Sequence, residues 1–588
     1  MIPRPPADRR RHDAGRAAVA CLALLVAGCH SSTSAPDASS AATATPAAAA
    51  RRQHAPNLFT ASFADPKTFN PIIVVDANSV AAVADVFESL VRLDPRTAEM
   101  EPLLAERWET NADGTEVTFH LRKDVRWHDG QPFTAADVVF TFDALYDERV
   151  PNSLKSILTI DGQRIAVEAV DDSTVRLRLP HPFAPLLNAL AALMIVPQHV
   201  LGPSLEVGEF ARQWGIDTPP ERIVGTGPYR LDKYVPAQYI HWARNPNYWM
   251  RDDAGRQLPY LNEQTIRIVP NQDTAYLKFL AGETDIHTPR PEEVPDLRAQ
   301  AAARDISVQE VGLDTGTLFV TFNRNPAHYL ADGKSDPRLT WFTDQHFLRA
   351  IAHSIDKTSI INTVLHGYGK PAVSYLSPEN KDFYDPSLQD YPYDLERARQ
   401  LLAEGGYTDR DGDGIIEDRD GHPIEFTLYT NAGNQLREKI CAILKQDWES
   451  LGMKVNFKAL DFGLLVEKLD ATFDWDAMLM GFTGGVEPHN GANLLLSSGN
   501  LHLWNPNQQT PATEWEAELD RQVDLGARAL DPEQRRQAYW RVQEILNQQL
   551  PLIVTVHALR FTAFVNSLQS YVSCVWGDYR PELIHFSE

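Results

Sequence analysis

The chain has 588 residues, too many for a single hydrophobic core, so we expect two or three domains. Apolar residues make up 43% of the chain and 12 residues are tryptophan, which indicates an ordinary globular interior rather than a disordered or fibrous protein. The formal net charge of -24 repels phosphate backbones, and no basic stripe offsets it, so nucleic-acid binding is not expected.

The first 28 residues have the composition of an export signal. Five arginines precede the apolar run AAVACLALLVAG, which is too short to span a bilayer and fits the core of a signal peptide. The run ends in VAGC, which resembles a bacterial lipobox and predicts that Cys29 is lipidated and becomes the new N-terminus. A plain secretory signal with an incidental cysteine is the alternative. Residues 29–56, rich in Ser, Ala, Thr and Pro, then predict a flexible tether.

From residue 57 onward the patterns of strands and helices are mixed. EVTFHLR and STVRLRL alternate apolar and polar residues, which predicts strands, and TAAD at 134–137 predicts a capping box that opens a helix. Later, IEFTLYT, LREKICAILKQDWES and VNFKAL predict a strand, an amphipathic helix and a second strand in a βαβ unit. No segment of the body has 18 consecutive apolar residues, so no second membrane anchor is evident.

Two cysteines, Cys441 and Cys574, remain in the mature body. An oxidising compartment permits a disulfide between them. We favour two separate buried thiols, because two cysteines alone do not make a disulfide framework.

The segment DRDGDGIIEDRD at 409–420 has the residue order of an EF-hand calcium loop. Acids occupy positions one, three and five, and a glycine at position six permits a sharp bend. The candidate ligands are Asp409, Asp411, Asp413, Glu417 and Asp420. Because a strand rather than a helix is predicted after the loop, a paired EF-hand is excluded. A lone calcium site remains open, and we favour a solvated turn in which Gly412 and Gly414 supply positive φ angles.

Signatures of common enzymes are missing from the sequence. There is no HExxH zinc motif, no GxSxG nucleophile elbow, no GxxxxGK[ST] phosphate loop and no GxGxxG fingerprint. Adjacent acids occur, but adjacency in sequence does not set the carboxylate separation of a glycosidase. Binding without catalysis is therefore the simpler hypothesis.

Several stretches resemble the extracellular solute-binding proteins of ABC importers, in the family that includes dipeptide- and oligopeptide-binding proteins. The most specific is PLLAERWETNADGTEVTFHLRKDVRWHDGQPFTAADVVFTF at 102–142. DPKTFNP, VGTGPYRL, RNPNYW, AGETDI, FLRAIAHSIDK and ARQLLAEGGY follow the same order as in the family, and the resemblance covers about residues 57–565. We interpret these motifs as architecture, with aromatic residues such as Trp108, Trp127 and Tyr248 in the core rather than on a ligand.

The resemblance implies an α/β fold: a periplasmic-binding-protein-like, two-lobed flytrap with mixed sheets and an extra subdomain in the first lobe. The expected organisation is a signal peptide at 1–28, a tether at 29–56, lobe I at 57–313 with an inserted subdomain at about 100–215, lobe II at 314–550, and a return to lobe I at 551–588. The chain would cross between lobes near 310–323 and 551–561, and these strands would act as a hinge.

In peptide-binding relatives a segment like MGWxxDxx[DE]P lines the cleft, and its first aspartate pairs with the α-ammonium group of the peptide. The corresponding segment here is MGFTGGVEP at 480–488, which has glycine wherever that aspartate could align. We therefore expect ligands without a charged N-terminus to bind at least as well as free peptides, unless an acid from elsewhere substitutes. The candidate ligand-binding residues are Gly481, Phe482, Thr483, Gly484, Gly485 and Glu487.

The expected function is that of a monomeric, lipid-anchored periplasmic receptor without a cofactor. It would deliver a peptide or a solute of similar size to an ABC permease and its ATPase. Two alternatives remain open: a secreted lipoprotein hydrolase, and a chaperone or sensor that keeps the fold without transport. The identity of the solute and the choice of inner or outer membrane also remain open.

Overall fold

A computed structural model describes residues 57–330, 335–499, 501–506 and 508–587 of the chain. The predicted signal peptide, Cys29 and the tether lie outside these residues. Within the part that is described, none of the helices is both long enough and apolar enough to cross a membrane.

Four sheets of three or more strands organise the body. The first contains Asn57–Ser62, Glu263–Ile268, Tyr239–Arg244 and Tyr229–Val235, and the second contains Ala105–Thr110, Glu116–Leu121, Thr174–Arg178 and Ala166–Asp171. The third contains Ile286–His287, Val556–Val565 and Ile306–Leu313, with Gly369–Pro371 paired to its central strand. The fourth contains Lys454–Leu460, Glu425–Asn431, Ala477–Phe482, Thr317–Phe322 and Ile553–Val554.

Short strand pairs and helices complete the described part. The pairs are Val91–Leu93 with Met100–Pro102, Thr159–Ile160 with Gln163–Arg164, Leu568–Gln569 with His585–Phe586, and Ser573–Cys574 with Gly577–Asp578. The α-helices are Ala77–Val83, Ala135–Tyr146, Leu154–Ile157, Leu186–Ala192, Gln198–Glu206, Gln272–Leu280, Val294–Arg304, Pro326–Tyr329, Arg338–Thr343, Gln345–His353, Lys357–Thr363, Leu395–Gly405, Gln435–Ser450, Phe462–Glu467, Ala492–Leu495, Glu514–Arg528 and Pro532–Gln549.

The second sheet confirms the strands predicted from alternation. Glu116–Leu121 buries every second residue, as expected of a strand with one face on the core. The helix that follows begins at the predicted capping box, where Asp137 accepts a hydrogen bond from the backbone N–H of Thr134 at 2.9 Å. Asp137 also accepts from Nε1 of Trp127 at 3.2 Å, so this buried carboxylate joins the helix start to a core aromatic residue.

The predicted βαβ unit is confirmed in the fourth sheet. Glu425–Asn431 and Lys454–Leu460 pair in parallel, and helix Gln435–Ser450 connects them. Ile440 and Leu444 of this helix are fully buried, which is the packing that its amphipathic pattern predicts.

Buried apolar residues form two main groups. One draws on residues 58–261, with three members from the C-terminal region. The other consists of two clusters within residues 319–556. The chain passes twice between the third sheet and the fourth: at 314–316, from Ile306–Leu313 to Thr317–Phe322, and at residue 555, from Ile553–Val554 to Val556–Val565.

The two described cysteines are free thiols. Cys441 is buried, as predicted, and burial raises the pKa of its thiol. Cys574 is only partly buried, because it lies in the short strand Ser573–Cys574 near the C-terminus, so the prediction of two buried thiols is wrong for this residue.

Candidate functional site

A cleft of about 920 Å³ opens where the chain passes from the third sheet to the fourth. Its walls include the end of strand Ala477–Phe482, the first turn of helix Gln435–Ser450, the start of helix Gln272–Leu280 and the crossing segment 314–316. The lining residues are Phe63, Asn271, Gln272, Asp273, Arg290, Pro291, Glu292, Asp314, Gly316, Thr317, Leu318, Val364, Asn431, Ala432, Gly433, Asn434, Gln435, Leu436, Arg437, Lys439, Gly481, Phe482, Thr483, Val556 and Ala558.

Three of the six predicted ligand-binding residues, Gly481, Phe482 and Thr483, line this cleft. Gly481 and Phe482 end the strand Ala477–Phe482, and Thr483 follows it. This strand runs parallel to its neighbour Glu425–Asn431, so both strands end at the same edge of the sheet. Ligands of α/β proteins commonly bind outside the carboxyl ends of parallel strands. The sheet topology thus brings 481–483 and the loop after residue 431 to one wall.

Gly484 and Gly485 face other parts of the protein and are not among the lining residues. A Cβ atom on Gly484 would lie 1.9 Å from the carbonyl oxygen of Thr315, whose hydroxyl donates to the Gly484 carbonyl at 3.2 Å. The Gly485 carbonyl accepts from Nδ2 of Asn380 at 3.1 Å. Because Gly484 has no side chain, its backbone can lie close to the backbone of the crossing segment 314–316.

Glu487 is engaged in a buried ion pair. Both of its carboxylate oxygens accept from Nη2 of Arg535, at 2.7 and 2.8 Å, and Oε1 also accepts from the backbone N–H of His489 at 3.0 Å. The Glu487 side chain is 7% exposed. Its carboxylate is thus satisfied by the protein itself, and Glu487 is not among the residues that line the cleft.

Arg290 lies in the cleft wall, and neighbouring carboxylates neutralise its positive charge. Its Nε donates to Glu293 at 2.7 Å and its Nη2 donates to Asp273 at 2.6 Å, while Glu292 lies 3.6 Å away. Burial opposes the charge, but the hydrogen bonds that Arg290 donates to Glu293 and Asp273 outweigh it, so the pKa of Arg290 is raised.

Arg437, in the first turn of helix Gln435–Ser450, differs from Arg290. It is half-buried, and its guanidinium donates to two neutral acceptors, Oδ1 of Asn431 at 2.9 Å and the Gly481 carbonyl at 3.3 Å. No carboxylate of the described residues lies within 4.0 Å of it, and burial lowers its pKa. The exposed carboxylate of Asp314 accepts from the backbone N–H of Gly316 at 3.1 Å, and within the described part it has no cationic partner within 4.0 Å.

Comparisons with known proteins place the chain in a family. The model of the bacterial extracellular solute-binding proteins, family 5 (middle region), matches residues 99–502. A probable ABC transporter-binding protein of Deinococcus radiodurans is 30% identical over 463 residues, which covers 75% of this chain and 77% of the relative. The chain belongs to family 5.

Other relatives match the chain along nearly its whole length. Heme-binding protein A of Haemophilus influenzae is 28% identical, covering 95% of this chain and 96% of the relative, and oligopeptide-binding protein AppA of Bacillus subtilis is 25% identical, covering 94% of each. The solved structure of AppA in complex with a nonapeptide has a TM-score of 0.71 and 24% identity, and covers 90% of this chain and 99% of AppA. The predicted binding-protein fold is confirmed.

The acidic loop of this family 5 protein lies away from the cleft. Carboxylate oxygens of Asp409, Asp411, Asp413 and Glu417 all lie within 4.8 Å of one another, whereas Asp420 does not belong to this group. Gly412 and Gly414 have φ angles of 82° and 90°, as the turn hypothesis requires.

Backbone amides within the loop satisfy several of these carboxylates. Asp409 accepts from the N–H groups of Gly412 at 2.7 Å and Gly414 at 3.1 Å, and Glu417 accepts from the N–H of Arg410 at 2.8 Å. A loop satisfied in this way needs no cation to hold its shape, so we keep the turn as our interpretation.

Sequence reasoning missed Arg437, Arg290 and Asp314 as residues of this family 5 cleft. The periodicity of the helix that contains Arg437 shows only that this residue lies on the polar face of the helix. One signal was available: the first turn of a helix that follows a parallel strand lies at the sheet edge where ligands bind. The spacing of residues carried no information about which of these charges has a partner.

Proposed function

We propose that this chain is the solute-binding component of an ABC importer and holds a peptide, or a solute of similar size, in the cleft. The observation that carries this proposal is the 920 Å³ cleft at the place where the chain crosses from the third sheet to the fourth. Ligand pockets typically measure about 300–1,000 Å³. AppA, to which the chain is similar over 94% of its length, is named an oligopeptide-binding protein. The protein would pass its ligand to a permease and ATPase and catalyse no reaction.

The proposed lobes follow the two apolar cores. Lobe I would comprise residues 57–313, with the inserted subdomain at about 100–215, together with the C-terminal residues 551–588. Lobe II would comprise residues 314–550. The crossings at 314–316 and at residue 555 would then serve as a hinge, because short segments at the ends of strands can absorb the φ and ψ changes of domain closure.

The proposed location is the periplasm, with the protein held to a membrane by lipid on Cys29. The Ser- and Ala-rich tether at 29–56 would let a monomeric body reach both solute and permease. The family description, extracellular solute-binding proteins, supports the location outside the cytoplasm.

Native mass spectrometry of the purified protein tests the ligand class, followed by titration with a mixed-sequence pool of tripeptides. We expect a carried-over or added peptide at a stoichiometry of one. Thr483→Trp should reduce this binding because the larger side chain enters the cleft, whereas Thr510→Trp, at an exposed position that does not line the cleft, should not. If the parent carries over no solute and binds no peptide, or if it turns over the peptides, the proposal is contradicted.

A further inference from the structure

Helix Glu514–Arg528 of the proposed lobe II packs against both apolar cores. Leu519 and Val523 are fully buried in a cluster of lobe II, whereas Ala527, about one helical turn further on, is buried in the cluster that includes the inserted subdomain. Among the described residues of 314–550, Ala527 is the only buried member of that second cluster. The C-terminal end of this helix therefore belongs to lobe II by sequence but packs against lobe I.

Hydrogen bonds also join the end of this helix to the subdomain. The Ala527 carbonyl accepts from the backbone N–H of Ala184 at 2.8 Å. Nη2 of Arg528 donates to Oδ2 of Asp161 at 2.8 Å, while its Nε donates to Asp524 of its own helix at 2.6 Å. The bond to Asp524 orients the guanidinium, so less side-chain entropy is lost when Arg528 binds Asp161.

A loop of lobe II touches the same part of the subdomain. Nδ2 of Asn490 donates to Oδ1 of Asn188 at 3.2 Å. The ring of His489 lies 5.4 Å from the ring of Phe183 in an edge-to-face arrangement, and Phe183 directly precedes the Ala184 that binds the helix end. Two separate segments of lobe II thus contact one short stretch of the subdomain.

The contact between the subdomain and lobe II is polar and incompletely packed. A cavity of about 210 Å³ lies between them, lined from one side by residues such as Ile160 and from the other by residues such as Val523. The side chains of Arg528 and Asp161 are 39% and 50% exposed. Interfaces of this kind within a chain resemble those of transient complexes, so the two sides can separate and meet again.

The two sides of this contact belong to different cores. Phe119 and Val175 of the subdomain share one apolar cluster with Leu58 and Ile240 of the first sheet, so the subdomain moves with lobe I. The helix end moves with lobe II because it continues the segment that is buried in the lobe II cluster. A motion that parts the lobes therefore has to break the contact.

We propose that Asp161, Ala184, Ala527 and Arg528 form a latch that holds the lobes together in the closed protein. The inserted subdomain would then set the balance between open and closed forms. This inference rests on the proposed function, since the closed form is the one that would hold the ligand. If the ligand binds only that form, its apparent Kd is the intrinsic Kd divided by the closed fraction.

Pulsed EPR tests the latch without a ligand. Spin labels at Val170→Cys in the subdomain and Thr510→Cys in lobe II, both exposed positions, report the distance between the two parts. Cys574→Ser in the same background confines labelling to these sites, because Cys441 is buried. The parent should show a population at the shorter, latched distance, and disruption of the latch should move molecules to a longer one.

Two variants disrupt the latch in different ways. Ala527→Trp places a large side chain in the contact and should lower the ratio of closed to open molecules about fivefold or more. Asp161→Asn removes only the charge of an exposed pair and should lower this ratio about threefold. Because the second change adds no volume, it decides the question if Ala527→Trp does not fold. In calorimetry with the tripeptide pool, Kd should rise in proportion as the closed fraction falls.

Changes elsewhere on the same helix are the controls. Arg521→Trp adds the same large side chain at an exposed position, and Glu518→Gln breaks an ion pair that lies within lobe II; both should leave the label distances unchanged. The latch is overturned if Asp161→Asn leaves the distances unchanged, or if Arg521→Trp shifts them as much as Ala527→Trp does. If the latch variants shift the distances but the parent binds no peptide, the latch stands and the proposed function fails.

Discussion

Glu487 offers a direct test of whether a residue of the predicted ligand segment serves the ligand or the fold. The change is Glu487→Gln, which keeps the shape of the side chain and removes its charge. Arg535 would then keep its bond to the Gly526 carbonyl, at 2.7 Å, but would lose both contacts to a carboxylate. With side chains only 13% and 7% exposed, Arg535 and Glu487 have little water to replace the lost interaction.

The expected cost follows from the burial of the pair. Breaking a buried ion pair by removing one partner costs about 3–5 kcal/mol, because the remaining charge is left uncompensated. We expect the lower end, about 3 kcal/mol, since the glutamine oxygen can still accept one hydrogen bond from Arg535. Replacing both residues, by Gln at 487 and Met at 535, should cost less than the sum of the single changes.

Urea unfolding followed by tryptophan fluorescence measures this loss of stability, with peptide affinity measured in parallel. Glu533→Gln is the matched control, because Glu533 pairs with Arg536 on the same helix but the side chains are 56% and 38% exposed. Exposed pairs contribute about 0–1 kcal/mol, so the control should be nearly neutral. If Glu487→Gln costs under about 1 kcal/mol but weakens peptide binding tenfold, our reasoning fails and Glu487 contacts the ligand.

Four further outcomes are expected. Cys29→Ala should move the protein from the detergent phase to the aqueous phase in a partition assay, and unchanged partitioning would refute lipidation. Chelation with EDTA should leave the melting temperature unchanged; a drop that Asp411→Ala abolishes would establish a cation site. Gly484→Ala should destabilise the protein by about 1–3 kcal/mol in urea, because its Cβ would overlap Thr315, and a neutral result would refute that contact. In calorimetry, N-acetylated peptides should bind at least as well as free ones; a tenfold preference for free peptides, lost in Asp314→Asn, would identify the substituting acid.

Secondary structure and family were predictable from the sequence because their signals are local. Burial of every second residue in Glu116–Leu121, and of the apolar stripe in Gln435–Ser450, depends only on repeat distances within one segment. The family motifs are contiguous runs of the same kind. The parallel βαβ unit could be predicted because three consecutive segments define it.

The partners of the site residues were decided by tertiary structure alone. Glu487 contacts Arg535, which lies 48 positions away on a helix. Gly484 contacts Thr315, which lies 169 positions away in the crossing segment. The same packing of distant segments places Arg437 at the cleft without a carboxylate partner. Neither periodicity nor spacing encodes contacts between distant segments. Whether a charge in this protein is neutralised or left for a ligand therefore depends on how its sheets and helices come together in space.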